Sequence, residues 1–149
     1  MDGEGWTPVG ERIFRELEKL NKLLAQIGYE SGKSKEKNGA DVCAVAAWNE
    51  FGTINIPSRP FMRKSVDDNK DEISAYMRKK VEEVISGRKT AEQVFKEIGL
   101  FQKGLIQKKI TDGSFEPNAP STIRQKKSDK PLIDTGRMRQ SVEIFIEKK

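Results

Sequence analysis

The stretch that decides the fold is NEFGTINIPSRPFMR, which runs from Asn49 to Arg63. Pro57 and Pro60 exclude a continuous helix here, because a proline ring lacks the backbone N–H and clashes with the preceding turn. The residues that precede the prolines, Ile56 and Arg59, are pushed towards extended geometry. We therefore predict a stiff, non-helical connection within this stretch.

Helices are predicted on both sides of that connection. Asp41 is a suitable N-cap for a short helix over residues 42–51, and Gly52 follows it as a natural stop. Pro60 suits the first turn of a second helix, which the apolar spacing extends to residue 85. The stretch is thus interpreted as a helix stop, a rigid turn and a helix start.

Further helices are predicted elsewhere along the chain. Apolar residues at spacings of three and four indicate an amphipathic helix over residues 10–27. A second such pattern reaches to about residue 110 and opens with the capping-box pair Thr90 and Gln93. A short helix is expected after Pro120.

The C-terminus is predicted to form a strand. Apolar Val142, Ile144 and Ile146 stand at alternate positions, a pattern typical of a half-buried strand. Its expected partners are a strand near Tyr29 and extended segments around residues 54–58. We predict an α+β fold in which several helices pack against a small antiparallel sheet with a C-terminal β-strand. The 149 residues suit a single domain with an irregular N-terminal extension over residues 1–9.

Composition indicates a thin core. Hydrophobic residues make up 35% of the chain and charged residues 34%, a balance that fits a protein whose burial is completed against partners. The single cysteine excludes an intramolecular disulfide. No apolar run approaches the length of a membrane span, and the N-terminus has no apolar segment of the signal-peptide kind. We expect no membrane partner.

The sequence argues against an enzyme. It contains no histidine and one cysteine, which removes the commonest general base, the commonest metal ligand and thiolate zinc sites. We expect no catalytic residues, no cofactor and no metal.

Two segments imitate catalytic motifs. GYESGKS, over residues 28–34, has three residues between its glycines where a phosphate-binding loop needs four. LIDTG, over residues 132–136, resembles the catalytic loop of an aspartic protease, but too few residues follow it for the strands of that fold. We expect Asp134 or Thr135 instead to cap a short helix that leads to Gln140.

Two blocks carry a family resemblance. AAWNEFGTINIPSRPFMR, over residues 46–63, resembles the hallmark of the tail-completion or neck proteins of tailed bacteriophages. A second block, over residues 118–141, is similar to the same family in its NAPSTI, PLIDTG and RMRQS segments. With the helices between them, the blocks cover about residues 28–147.

The resemblance implies a structural virion protein of the neck or tail, assembled in the bacterial cytoplasm. Such proteins complete or terminate the tail and help to join it to the head. They act as homo-oligomeric rings, for which six-fold symmetry is expected. The implied partners are further copies of the chain, tail-tube and head-connector proteins, and DNA that passes through the ring without specific recognition.

The motif residues are the candidate interface and structural positions. They are Asn49, Glu50, Phe51, Gly52, Pro57, Arg59, Pro60, Phe61, Arg63, Asp134, Thr135, Gly136 and Arg137. We expect Phe51 and Phe61 to pack inside the protomer; the alternative is that they anchor a subunit interface, where aromatic residues are enriched. Arg59 and Arg63 are expected to pair with carboxylates.

The alternative function is a basic nucleic-acid-binding accessory protein of phage assembly. The net charge of +5 favours acidic partners. Phosphate contacts would come from Lys126, Lys127, Lys130, Arg137 and Arg139. Against this reading, the 28 basic residues are interleaved with 23 acidic ones.

Overall fold

The computed structural model describes residues 5–126, 129–133 and 136–149. It confirms the α+β prediction, with helices against a two-stranded antiparallel sheet that ends on a C-terminal strand. In chain order the described elements are α1 (Pro8–Lys22), β1 (Leu23–Gly28), α2 (Val42–Phe51), α3 (Phe61–Asp67), α4 (Lys70–Ile85), α5 (Ala91–Asp112), α6 (Pro120–Lys126), α7 (Arg137–Gln140) and β2 (Glu143–Lys148).

The helix predicted over residues 10–27 is shorter than expected. Helix α1 begins at Pro8, with the Thr7 side chain accepting a hydrogen bond from Gly10 N, and ends at Lys22. The next six residues form β1, which pairs with β2. Leu23, Ala25 and Ile27 are less exposed than the residues between them. The apolar spacing of residues 23–27 is compatible with either a helix or a strand. Pairing with β2 determines that these residues form a strand.

Helix α2 has the predicted bounds and caps. The Asp41 carboxylate accepts from Cys43 N, and Gly52 ends the helix at a φ of 78°. The single helix predicted after Pro60 is wrong, because α3 and α4 are separate helices. Asn69 lies at the break, and its side chain donates to Ser65 O, a local bond that competes with helix continuation.

Helix α5 opens with the predicted capping box. Thr90 N donates to Gln93 Oε1, and Gln93 N donates to Thr90 Oγ1. Gly99 in this helix faces β2 so closely that an added Cβ would lie 2.6 Å from Ile144 Cγ2. The strand therefore requires a residue without a side chain at this position of α5.

Two expectations about extended segments have different outcomes. A strand close to Tyr29 is present as β1, the neighbour of β2. Residues 54–58, which were expected to add to the sheet, instead form a loop. Helix α6 confirms the short helix after Pro120.

The chain divides into two compact units, each built from separated segments. Unit 1 comprises the described part of Met1–Gln26, with Lys70–Phe101 and Ile144–Lys149. Helices α1 and α4 contact one another in it, and the rings of Tyr76 and Phe101 stack at a centroid distance of 4.1 Å. The prediction of one domain over residues 1–149 stays a prediction.

Unit 2 comprises Ile27–Asn69 and Gln102–Glu143 and contains the motif residues. Helix α2 contacts both α3 and α7 in it. Its buried apolar cluster consists of Val42, Ala46, Phe61, Ile106, Ile110, Leu132, Met138 and Val142. This cluster draws on both sequence blocks, so the two blocks share one core.

Candidate interaction site

Arg59 is the buried centre of the first block. Its side chain is 4% exposed, and its Nε donates to Glu116 O at 2.7 Å. Nη2 donates to Pro117 O at 3.2 Å, and Nη1 donates to Asn49 Oδ1 at 3.3 Å. Arg59 therefore ties the turn to the end of α2 and to the segment that leads into the second block.

The arginine prediction is wrong for Arg59. Its guanidinium binds two carbonyl oxygens and an amide oxygen, where pairing with a carboxylate was expected. Burial lowers the pKa of Arg59 below its ordinary value, and the nearby Glu116 charge opposes that change. Arg63 has an exposed side chain, and its expected pairing with a carboxylate stays a prediction.

Glu50 holds the first turn of α3. Its carboxylate accepts from Met62 N at 2.8 Å and from Arg63 N at 3.0 Å. These are N–H groups that a helix leaves unpaired at its start, and a negative charge is favourable there. Because Glu50 lies 12 or more residues before these donors, no local capping pattern could have revealed this role.

The loop between α2 and Arg59 is internally braced. Thr53 N donates to Ile56 O at 2.8 Å, and the Ser58 hydroxyl donates to Glu50 O at 2.8 Å. Gly52 lies so close to the returning chain that an added Cβ would be 2.9 Å from Ser58 N. Pro57 follows in the exposed part of the loop. The loop is thus a compact structure fixed to its own base.

Three large apolar side chains are exposed at the end of α2 and in the braced loop that follows it. Trp48 is 44% exposed, Phe51 is 80% exposed and Ile54 is fully exposed. We call these three residues the apolar knob. The expectation that Phe51 packs inside the protomer is wrong, because Gly52 ends α2 at a point where Phe51 lies on the outer side of the helix.

Phe61 behaves as expected. It is fully buried and meets the Tyr29 ring edge-on, at a centroid distance of 6.4 Å. Pro60, half-buried, immediately precedes it as the N-cap residue of α3. Aromatic residues ten positions apart in the same motif thus have opposite roles, one in the core and one on the surface.

The second block is folded back onto itself. Pro131 O accepts hydrogen bonds from Asn118 Nδ2 and from Lys126 Nζ. Gly136 is the N-cap residue of α7, with a φ of 78°. The predicted capping residues Asp134 and Thr135 lie outside the described residues.

Three basic side chains of this block are engaged within the chain. Arg137 donates to the carbonyl oxygen of Lys35, and Lys126 donates to Pro131 as above. Lys130 also has a partner within the chain. Arg139 is exposed, and Lys127 lies outside the described residues. The nucleic-acid alternative stays a prediction.

A pocket of about 140 Å³ opens between α2 and the second block. Its apolar walls come from Val45, Pro131, Leu132 and Met138, and Lys126 and Glu36 also line it. Asn49 contributes from the end of α2. All of these residues belong to unit 2.

The segment that imitates a phosphate-binding loop is already hydrogen-bonded to another part of the chain. Gly32 N donates to Asp41 Oδ1 at 3.1 Å, and the same carboxylate receives Ser31 Oγ. An amide already bound to a carboxylate does not offer itself to a phosphate. Within the described residues, no group of three or more His, Cys, Asp or Glu side chains could hold a metal ion.

The described helices include none that is both long enough and apolar enough to cross a bilayer. Comparisons with protein-family models, with curated proteins and with solved structures gave no match to this chain.

Proposed function

We propose that this chain is a structural virion protein of a tailed bacteriophage. It completes or terminates the tail and helps to join it to the head, and it acts without catalysis as a homo-oligomeric ring of six copies. The observation that carries the proposal is the apolar knob, which is exposed at the end of α2 and in the braced loop that follows it, inside the block that resembles the family's hallmark.

The composition of the knob favours a protein partner. Single exposed apolar residues are ordinary on protein surfaces, but clustered ones mark interaction sites. Aromatic residues are enriched at interfaces and supply much of the binding energy when they are buried there. Burying a side chain such as Phe51 stabilises a complex by roughly 1.5–3 kcal/mol. Trp48 and Phe51 thus have the properties of interface anchors.

The bracing of the knob also supports an assembly role. Arg59, Glu50 and Ser58 fix the base of the loop through hydrogen bonds within unit 2. A surface that is already held in one conformation loses less conformational entropy when it binds. A ring that must meet a tail tube and a head connector in a defined register benefits from this preorganisation.

The proposed partners are other copies of the chain, the tail tube and the head connector. DNA would pass through the opening of the ring, where the charge of +5 makes its contact with phosphates favourable. These contacts would be independent of sequence, because they involve the DNA backbone.

Electron microscopy of the chain mixed with isolated tail tubes tests the proposal. We expect rings on the ends of the tubes with the unsubstituted chain, and bare ends with Phe51→Ser. Val66→Ser is the matched control, because Val66 is also exposed in unit 2 but lies outside the knob. It should leave the rings unchanged.

Two results would overturn the proposal. One is a chain that stays monomeric and shows no affinity for tail or connector proteins. The other is tight binding to double-stranded DNA with a steep salt dependence and no affinity for tubes, which would favour the accessory protein instead.

A further inference from the structure

A solvent-exposed turn precedes α2 in unit 2. An antiparallel bridge closes its base, and Glu36 N donates to Ala40 O at 2.8 Å. Asn38 and Gly39 lie at the exposed tip, where a Cβ added to Gly39 would meet nothing within 4 Å. Exposed segments held by local hydrogen bonds open at little cost in free energy. The tip is therefore accessible to water and uncrowded.

The carboxamide of Asn38 lies along the peptide that follows it. Its Oδ1 accepts a hydrogen bond from Ala40 N at 3.0 Å, which is the pattern by which asparagine side chains bind their own backbone two residues on. The ring that this bond closes includes the nitrogen of Gly39, so Asn38 Cγ is held beside that nitrogen. A donor at Oδ1 also stabilises the negative charge that develops there when a nucleophile attacks Cγ.

We infer that Asn38 is a site of spontaneous covalent modification, in which the backbone nitrogen of Gly39 attacks Asn38 Cγ. A bond forms between these two atoms, and the bond from Cγ to Nδ2 breaks. The proton lost by Gly39 N is transferred through water to Nδ2, which leaves as ammonia. Water then opens the cyclic imide at either of its carbonyl groups and gives aspartate or isoaspartate. The reaction uses water alone and is independent of the proposed function.

Gly39 is suited to the attacking position. It has no side chain to hinder the approach of its nitrogen to Cγ, and glycine adopts backbone angles that other residues avoid. Its φ of 85° is one such angle. Gly39 N donates to Glu36 O at 2.9 Å, and this bond must open before the nitrogen can react. The bond from Ala40 N to Asn38 Oδ1 does not have to break in that step.

The two products would affect the turn differently. Aspartate keeps an oxygen that can accept from Ala40 N, whereas isoaspartate lengthens the main chain at this position by a methylene group. Both ends of the turn are attached to other elements of unit 2, because Lys35 O accepts from Arg137 and Asp41 caps α2. Isoaspartate should therefore loosen these attachments more than aspartate does.

Peptide mass spectrometry of the full folded chain during incubation in mildly alkaline buffer tests the inference. We expect the peptide with Asn38 to gain the mass that replacement of NH₂ by OH produces. The matched control is Asn55, which is also exposed and is also followed by an amide bonded within its loop, from Ile56 N to Thr53 Oγ1 at 3.0 Å. Because Ile56 is branched at Cβ, Asn38 should react about tenfold faster or more, which corresponds to about 1.4 kcal/mol in the barrier.

Labelling with an isoaspartyl methyltransferase identifies the product. The label should appear in the unsubstituted chain and be absent in Asn38→Gln, whose longer side chain would have to close a larger ring. Equal rates at Asn38 and Asn55 would overturn the inference. So would a chain that reacts at Asn38 only in urea, because the folded turn would then protect the residue.

Discussion

At the residue scale, Arg59 shows that the motif also stabilises the interior of the protein, although other residues of the motif lie on the surface. Its three hydrogen bonds join residues that are up to 58 positions apart in the chain. The sequence was sufficient to predict that Pro57 and Pro60 stiffen the turn, because the effect of a proline on the backbone is local. The acceptors of Arg59 could not be predicted, because they depend on how the segment at Glu116 returns to the end of α2.

Replacing Arg59 should therefore be costly. Arg59→Met leaves the carbonyl oxygens of Glu116 and Pro117 without their donor, and we expect a loss of roughly 3 kcal/mol in the free energy of unfolding. Arg63→Met, the same change at an exposed position, should stay within about 0.5 kcal/mol. Urea denaturation of both variants measures the difference. Equal stabilities would show that the buried guanidinium does not hold the turn.

Two glycines should respond to alanine with opposite signs. Gly52 has a φ of 78°, and an added Cβ would lie 2.9 Å from Ser58 N, so Gly52→Ala should destabilise the chain by more than about 1 kcal/mol. Gly104 lies within α5 with open space beside it, so Gly104→Ala should stabilise the chain by about 0.5–1 kcal/mol. Thermal unfolding checks both. A stabilising Gly52→Ala would contradict the observed turn.

At the element scale, helix caps could be predicted from the sequence, whereas features that depend on distant contacts could not. The caps at Asp41, Gly52 and the Thr90–Gln93 pair are hydrogen bonds between residues at most four positions apart. The local sequence was therefore sufficient to predict them. The change from α1 to β1 depends on the distant strand β2, and residues 23–27 fit either structure by spacing alone. Gly99 packs closely against β2, whereas at Gly104 an added Cβ meets nothing within 4 Å, and neither environment follows from the local sequence.

An ion-pair cluster fixes α4 to α5 within unit 1. Lys80, only 7% exposed, contacts Glu97 at 2.6 Å and Glu83 at 3.2 Å. Lys89 contacts the same two carboxylates at 2.6 and 3.0 Å. The convergence of these four side chains could not be predicted from the sequence, because it requires α4 and α5 to pack together.

This cluster should make stability fall in acid. Hydrogen bonds from Lys80 and Lys89 lower the pKa of Glu97, and those from Lys89 and Lys80 lower the pKa of Glu83. A carboxyl whose pKa is lower in the folded state contributes stability above its unfolded pKa, about 4.3. That contribution is lost as the pH falls through the lower folded value.

Urea denaturation at a series of pH values between 6 and about 2.5 measures this dependence. Glu97→Gln should flatten the fall in the free energy of unfolding, because one of the two carboxylates no longer titrates. Glu82→Gln, at an exposed position of α4 next to Glu83, should leave the slope unchanged. The same slope in all three chains would exclude the cluster as its cause.

At the scale of the whole molecule, the sequence indicated a thin core that is completed by partners. The structure has two compact units, and unit 2 gathers the two resembling blocks around one core. The motif could be recognised in the sequence. The sequence could not show that Phe51 lies on the surface and Phe61 in the interior. Both are apolar, and their surroundings in the fold differ: Phe51 lies on the exposed side of α2, and Phe61 starts α3 inside the buried cluster.

The ring is tested most directly by the mass of the purified chain in native mass spectrometry over a range of concentrations. One chain has a mass of 16.9 kDa, and we predict a discrete species of six chains that is lost in Phe51→Ser and retained in Val66→Ser. A 16.9 kDa species alone at every concentration, with or without tail tubes, would contradict the proposed ring.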